Sequence, residues 1–242
     1  MINFYYGCNE IKSGYLEQDN TVGYVDLRIF GLCKKMNAED MAILNGEKEA
    51  PNIGDVEYLK ELKNDIDNRR AIIIDAVNQI NKAKSIVIDL RNNDGGDPAA
   101  VQLLCSLFMK EGLPLNTIEW RKGDKFETQE FNTLSTDELP VERRLMDSRV
   151  YVLIGPKTLS AAEEFANNMK VRGRATIVGE PSGGGANPGS SHRIGETLRL
   201  FIPEGRAINP IQEGNWEGVG IIPDHIVPAE EAVEKTIFLI NE

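Results

Sequence analysis

Histidine, cysteine and long apolar runs are all scarce in this sequence, and each shortage narrows the possible functions. The chain has only two histidines, His192 and His225, which leaves little scope for a site that needs several imidazoles. Three cysteines without a CxxC pair suggest neither a disulfide framework nor a zinc site. We therefore expect no metal and no cofactor.

The distribution of apolar and charged residues excludes two further classes of partner. No apolar run approaches the ~20 residues that a membrane-spanning helix requires, and the first residues resemble no signal peptide. Acidic residues outnumber basic ones by 38 to 27, and the net charge of −11 would repel nucleic-acid phosphates. As written, the chain is expected in the cytoplasm, without a nucleic-acid partner or a membrane-spanning segment.

The most informative pattern present is a strand that runs into a helix. Residues 150–154 are apolar or β-branched without a break, and good helix formers begin at Ala161. Ser160 stands at the junction, where the free N–H groups of a helix start favour negative charge. This is suitable ground for a serine nucleophile and for the oxyanion that it generates.

A structural role for Ser160 explains the same residues without catalysis. Ser160 followed by Glu163 is a capping box, in which the two side chains satisfy helix N–H groups reciprocally. Taken alone, this motif marks a helix cap more often than a catalyst.

A second strand-to-helix unit precedes the first. Residues 85–90 predict a buried strand, and a helix is expected over 99–110, with Asp97 as its N-cap. Gly95 and Gly96 lie between them and allow backbone to approach another group closely. The alternation of strands and helices after residue 85 indicates an α/β domain, so we divide the chain into an N-terminal segment, 1–84, and a core domain, 85–242.

The remaining elements follow from apolar periodicity and turn residues. Residues 1–20 are expected to be irregular or an edge segment, and residues 137–146 a connector. Strands are predicted at 21–30, 115–121, 125–132, 175–179, 198–203 and 206–210, and helices at 38–44, 55–82 and 230–240.

Four blocks stand out along the chain, residues 86–96, 158–163, 175–189 and 215–224. In this order they resemble the S41 serine peptidases, the family of C-terminal (tail-specific) processing proteases. Single blocks are weak signals, but four in the family's order are specific. The Trp216–Gly220 form of the last block resembles the branch that includes tricorn-type peptidases and interphotoreceptor retinoid-binding protein.

The resemblance implies a fold and the roles of four residues. The fold would be an α/β spiral of ββα units like that of ClpP and crotonases. Ser160 matches the nucleophile, and Gly95 or Gly96 together with the backbone N–H of Ala161 matches the oxyanion hole. For a member exported as a precursor, the resemblance implies the cell envelope instead of the cytoplasm.

The general base is the part of the family pattern from which this sequence departs. In the processing-protease branch a lysine lies 25 residues after the serine, but position 185 is Gly185. In the tricorn-like branch a histidine is the base, positioned through a serine and a glutamate, and Glu217 matches that glutamate. No histidine precedes His192, so the region that carries it in the family is expected to be missing here; His192 and His225 are the possible substitutes.

Two functions follow from these observations. The first is a serine endopeptidase that cleaves a peptide or protein substrate through an acyl-enzyme on Ser160, as a catalytic core that lacks its base. The alternative is a non-catalytic module that binds a peptide or an apolar ligand. A crotonase-type acyl-CoA enzyme would share the architecture but has no supporting motif.

Overall fold

A seven-stranded sheet organises the molecule. The computed structural model describes residues 2–7, 11–16, 19–30, 71–139, 141, 144–195 and 197–242. The strand order is β1-β2-β3-β4-β7-β8-β12. These strands are β1 (Ile2–Gly7), β2 (Ile11–Leu16), β3 (Asp19–Leu27), β4 (Ser85–Asp89), β7 (Arg149–Ile154), β8 (Ala175–Gly179) and β12 (His225–Ile226).

The centre of this sheet is parallel. β1, β2 and β3 pair antiparallel, whereas β3, β4, β7, β8 and β12 pair in parallel. β4 is buried at every residue and β7 at all but its first, as expected for strands covered on both faces. Because β4 and β7 are parallel neighbours, the segments that follow them leave the same edge of the sheet side by side.

Helices cover both faces of the sheet. The described part of α1 is residues 71–78, followed by α2 (Pro98–Phe108) and α3 (Ala161–Val171). These three helices pack on the face that carries Ile86, Ile88 and Val152. The opposite face carries Val87, Tyr151 and Leu153 and is covered by α4 (Ala232–Asn241), which follows the short 3-10 helix Ala229–Glu231. The alternation of faces along each strand follows from the two-residue period of β structure.

Two smaller sheets complete the described fold. β5 (Thr117–Lys122) pairs with β6 (Lys125–Gln129) and with β11 (Gly205–Ile208). β9 (Gly189–Ile194) and β10 (Leu198–Pro203) form a separate antiparallel ribbon. All of β10 is exposed, including Leu200 and Phe201.

The α/β class expected from the sequence is confirmed, with local differences. Much of the segment 1–20 forms a hairpin, β1–β2, with a register shift between Phe4 and Tyr6, and it lies at the sheet edge as one of the two expectations had it. β9 was not predicted. Helix 55–82 ends at residue 78, where turns begin; its part before residue 71 and the predicted helix 38–44 lie outside the described residues. The division at residues 84/85 falls between β3 and β4 and stays a prediction. Among the described helices, none is long and apolar enough to cross a membrane.

Candidate active site

Ser160 occupies a strained backbone position at the start of α3. Its φ of 55° and ψ of −122° make it the only described non-glycine residue with a positive φ. Such a conformation is costly for a residue with a Cβ, and it recurs where a nucleophile is presented on a sharp strand-to-helix turn. Ser160 is also exposed. The predicted position at the helix start is thus confirmed, with a backbone geometry typical of functional turns.

The Gly95–Gly96 turn lies directly against Ser160. A Cβ placed on Gly95 would be 2.7 Å from the Cβ of Ser160 and 3.1 Å from the backbone nitrogen of Ala161. Gly95 also has a φ of 111°, so a side chain there would be excluded by both space and backbone conformation. The parallel pairing of β4 and β7 accounts for this approach, because the two loops start from adjacent strands.

The backbone amides beside Ser160 differ in their availability. The Gly95 N–H donates to Oδ1 of Asn93 at 2.9 Å. The N–H groups of Gly96 and Ala161 donate to no acceptor among the described residues. Of the predicted oxyanion donors, Gly96 and Ala161 are therefore the pair left open for a ligand, and Gly95 supplies the close approach.

Asn93 positions both loops and was not singled out by the sequence. It is fully buried, and its Nδ2 donates to the carbonyl of Leu27 at 2.9 Å. The backbone carbonyl of Asn93 accepts from the N–H of Leu159 at 3.0 Å. One asparagine thus connects the end of β3, the glycine turn and the residue before Ser160. Its place in the resembling block 86–96 was the only available signal.

Glu163 forms more contacts than a capping residue requires. Its Oε2 accepts from the N–H of Ser160 at 2.9 Å, which is one half of the predicted capping box. The same oxygen accepts from the N–H of Gly185 at 2.8 Å. Its Oε1 accepts from the N–H of Gly184 at 2.7 Å and from Oγ of Ser182 at 2.6 Å. This fully buried carboxylate therefore joins the start of α3 to the glycine-rich loop, residues 181–188.

Glu217 holds the next part of the same loop. Its Oε2 accepts from the N–H groups of Ala186 and Asn187 at 2.8 and 2.9 Å. Glu217 itself is exposed. In the described structure its carboxylate contacts loop amides and no imidazole. Its predicted role in orienting a base stays a prediction.

The candidate bases lie in three different places. Gly185, at the position of the family's lysine, contacts Glu163 and lies beside Leu159, the residue before Ser160. His192 is on β9, and its Nε2 is 3.1 Å from Oε1 of Glu204. His225 is on the edge strand β12, where it pairs with Val178. Among the described residues, no lysine or histidine forms a hydrogen bond with Ser160.

Glu164, next to Glu163, has a contrasting environment. Its side chain is buried, and none of its carboxyl oxygens forms a hydrogen bond with a described residue. Burial, followed by the nearby charge of Asp97, raises the pKa of Glu164 to about 8. It also lies close enough to Cys105 to help raise the pKa of that thiol, which burial raises most. Glu164 therefore belongs to the contact between α2 and α3.

An exposed serine on a strained strand-to-helix turn, beside open backbone amides, is an arrangement that serine hydrolases share. The sequence comparison specifies the class: the model of peptidase family S41 matches residues 22–227. The chain belongs to peptidase family S41, as its four blocks predicted.

Individual relatives agree with this assignment. A carboxyl-terminal-processing protease of Picosynechococcus sp. is 29% identical over 165 residues, which are 67% of this chain and 37% of that protein. The chloroplastic carboxyl-terminal-processing peptidase 1 of Arabidopsis thaliana is 25% identical over 206 residues, which are 84% of this chain and 40% of that protein. The chain thus spans about two fifths of the length of these relatives.

Solved structures share the fold. The photosystem II D1 C-terminal processing protease superposes with a TM-score of 0.60 at 18% identity, covering 93% of this chain and 50% of that one. Mature CPAF in complex with lactacystin gives a TM-score of 0.61 at 13% identity, with 99% and 55% covered. The predicted resemblance to the tricorn-like branch stays a prediction.

Proposed function

We propose that the chain is the core of a serine peptidase that cleaves peptide or protein substrates through an acyl-enzyme on Ser160. Oγ of Ser160 adds to the carbonyl carbon of the scissile peptide bond and gives its proton to water, because no described lysine or histidine forms a hydrogen bond with Ser160. The carbonyl oxygen becomes an oxyanion that accepts from the N–H groups of Gly96 and Ala161. The C–N bond then breaks, the amine leaves with a proton, and water hydrolyses the ester.

The observation that carries this proposal is the position of Ser160 relative to the amides. Its positive φ holds it, exposed, beside the Gly95–Gly96 turn. Two neighbouring amides, those of the exposed Gly96 and of Ala161 in the first turn of α3, have no described acceptor and are therefore open to a ligand. A strained serine next to unpaired donors is better explained by an oxyanion site than by a helix cap alone.

Labelling with a fluorophosphonate tests the proposal directly. The native protein should be modified at Ser160, and Ser160→Ala should reduce the labelling rate by at least about 100-fold. Ser190→Ala is the matched control, because Ser190 is an exposed serine whose Oγ donates to Glu204 at 2.8 Å. Equal labelling of native and Ser160→Ala protein would reject Ser160 as the nucleophile.

The non-catalytic binding module remains a second candidate, because no described residue is placed to act as the general base for Ser160. Position 185 is glycine, His192 faces Glu204, and Glu217 accepts from loop amides. A serine without a base is a weak nucleophile at neutral pH. If native protein is not labelled, while a peptide binds equally well to native and Ser160→Ala protein, the binding module is the better description.

A further inference from the structure

Phe30 lies beyond the end of β3 and is bonded to the glycine turn that follows β4. Its N–H donates to the carbonyl of Gly95 at 2.7 Å, and its own carbonyl accepts from the N–H of Asp97 at 2.9 Å. These two bonds form an isolated parallel bridge between Phe30 and Gly96. The turn beside Ser160 is therefore hydrogen-bonded to the β3 side of the sheet through Phe30.

The bond to Gly95 fixes the direction of the N–H of Gly96, because both groups belong to one peptide unit. A trans peptide unit is planar, and its C=O and N–H point in opposite directions. None of the described peptide bonds is cis. Phe30, the glycine turn and Ser160 follow β3, β4 and β7, and β4 lies between the other two strands. Since the carbonyl of Gly95 points toward Phe30, the N–H of Gly96 points toward the side of Ser160.

The two glycines themselves do not enforce this orientation. Gly95 and Gly96 have φ values of 111° and 137°. Glycine adopts positive and negative φ about equally readily, so the peptide unit between two glycines can rotate at little steric cost. A rotated unit would direct the carbonyl of Gly95 toward Ser160, where its negative end would repel an oxyanion. The hydrogen bond from Phe30 opposes that rotation.

The ring of Phe30 is anchored on the helix that carries Ser160. It is 1% exposed, and its centroid is 6.0 Å from that of Phe165 on α3, which is fully buried. Aromatic rings in such tilted pairs attract each other beyond the burial of their surfaces. Phe30 thus connects the glycine turn with the helix whose first residue, Ala161, supplies the second open N–H.

A purely structural use of the bridge accounts for only one of its two bonds. The bond from Asp97 joins the start of α2 to the β3 side, and Asp97 is the N-cap of that helix. The bond to Gly95 has no such use. It acts on the peptide unit whose N–H is left open beside Ser160.

We propose that Phe30 is a positioning residue of the oxyanion site, which orients the N–H of Gly96 through the carbonyl of Gly95. Phe30 does not itself contact the substrate. Its effect on the reaction rests on the proposed peptidase function. The orientation of the peptide unit does not, and the experiment measures the two separately.

Labelling glycine with ¹³C at the carbonyl and ¹⁵N at the amide isolates this peptide unit in NMR spectra. An HNCO spectrum of such protein shows the glycines that follow another glycine, which are Gly96, Gly184 and Gly185. The Gly96 signal reports both the carbonyl of Gly95 and the N–H of Gly96. The other two signals are internal controls, because their N–H groups donate to Glu163.

Phe30→Ala removes the ring that anchors the donor, so the carbonyl of Gly95 should lose its hydrogen bond. Its ¹³C signal should move upfield, while the signals of Gly184 and Gly185 stay in place. Phe108→Ala is the matched control, because Phe108 is equally buried but lies at the other end of α2 from the turn. Phe30→Leu keeps an apolar side chain and should give a smaller shift in the same direction, which also covers the case that Phe30→Ala does not fold.

The consequence for reactivity is measured with the fluorophosphonate. Phe30→Ala should lower the maximal rate of Ser160 labelling by about 10-fold or more, since a misdirected oxyanion donor stabilises the transition state less. The half-saturating reagent concentration should not change, because the donor acts on the charge that develops during the reaction. Phe108→Ala should be labelled like the native protein.

Three outcomes would overturn the proposal. An unchanged Gly96 signal in Phe30→Ala would show that Phe30 does not orient the unit, and the same shift in Phe108→Ala would indicate a general loosening of the core. A shifted signal with an unchanged labelling rate would show that this orientation does not affect Ser160. If the native protein is not labelled at all, the proposed peptidase function fails, but the carbonyl shift still decides whether Phe30 orients the unit.

Discussion

Two consecutive glutamates in the first turn of α3 are both buried, yet their surroundings have nothing in common. Glu163 accepts four hydrogen bonds, three from backbone N–H groups and one from a serine hydroxyl. The carboxyl of Glu164 accepts none from the described residues and lies near Asp97. One residue step along a helix rotates a side chain by about 100°, so the two carboxyls face different neighbours.

The difference separates the side of α3 that faces the glycine-rich loop and the turn at Ser160 from the side that packs on α2. Donors surround Glu163 because the glycine-rich loop and the turn at Ser160 both direct backbone N–H groups at its carboxylate. Glu164 instead faces α2, where no described residue donates a hydrogen bond to its carboxyl group, and burial raises its pKa. Burial alone therefore says little about a carboxyl group. The free-energy cost of burying a carboxyl group depends on how many hydrogen-bond donors surround it.

The largest effect should come from converting Glu163 to glutamine. Glu163→Gln replaces one accepting oxygen with an NH₂ group that faces donors, so about half of the four hydrogen bonds are lost. Hydrogen bonds to a charged group contribute about 1.5–3 kcal/mol each, so the free energy of unfolding should fall by about 3 kcal/mol or more. Urea denaturation at pH 6 measures this change.

Glu164→Gln is the matched control, because it makes the same substitution one residue away. At pH 6 it should change the free energy of unfolding by less than about 1 kcal/mol, since a protonated carboxyl is replaced by a neutral amide. Equal losses in the two variants would contradict the distinction between the two sides of α3.

A smaller but positive effect is expected from a lysine on the Glu163 side. Gly185→Lys places an amine in the position of the family's base. A Cβ there would meet Cδ1 of Leu159 at 2.9 Å, a flexible side-chain end that can move. If that side is the catalytic one, fluorophosphonate labelling of Ser160 should accelerate by about 100-fold, a typical contribution of general-base catalysis.

Gly185→Met separates the amine from the bulk of the side chain. It has a similar length, no basic group and the same contact with Leu159. No acceleration should occur with methionine. Acceleration by both variants would indicate a rearranged loop, and acceleration by neither would argue against a base at this position.

The sequence predicted the elements of the site better than their contacts. Unbroken apolar runs predicted β4 and β7, and Asp97 caps α2 as expected, its Oδ1 accepting from the N–H of Ala99 at 2.9 Å. Each of these features depends on neighbouring residues alone. The membership of family S41 was also predictable, because it depends on four blocks in order.

The contacts across the chain were not predictable from local patterns. The capping box gave the bond between Ser160 and Glu163, but the bonds to residues 182–185 depend on how a distant loop folds. Glu217 carries no local signal for the loop amides 31 and 30 residues earlier. The positive φ of Ser160 is likewise imposed by its surroundings, since local preference opposes it.

The smallest expected effect concerns the pH dependence of stability on the Glu164 side. The pKa of Glu164 is about 8 in the folded protein, against an ordinary 4.5. Between these values the folded state keeps a proton that the unfolded state has lost. The contribution of this bound proton to the free energy of unfolding is therefore fully present below about pH 4.5, and it is lost as pH rises through about 8. Glu164→Gln removes this loss, so it should stabilise the protein at pH 8.5 relative to its effect at pH 5.

Glu234→Gln controls for the change in net charge, because Glu234 is exposed on α4. Urea denaturation of native protein and both variants at pH 5 and 8.5 gives the comparison. A gain at the higher pH that is specific to Glu164→Gln would show that an unpaired carboxyl, buried one residue from a fully paired one, costs stability. The same gain in Glu234→Gln would attribute it to the overall charge of −11 instead.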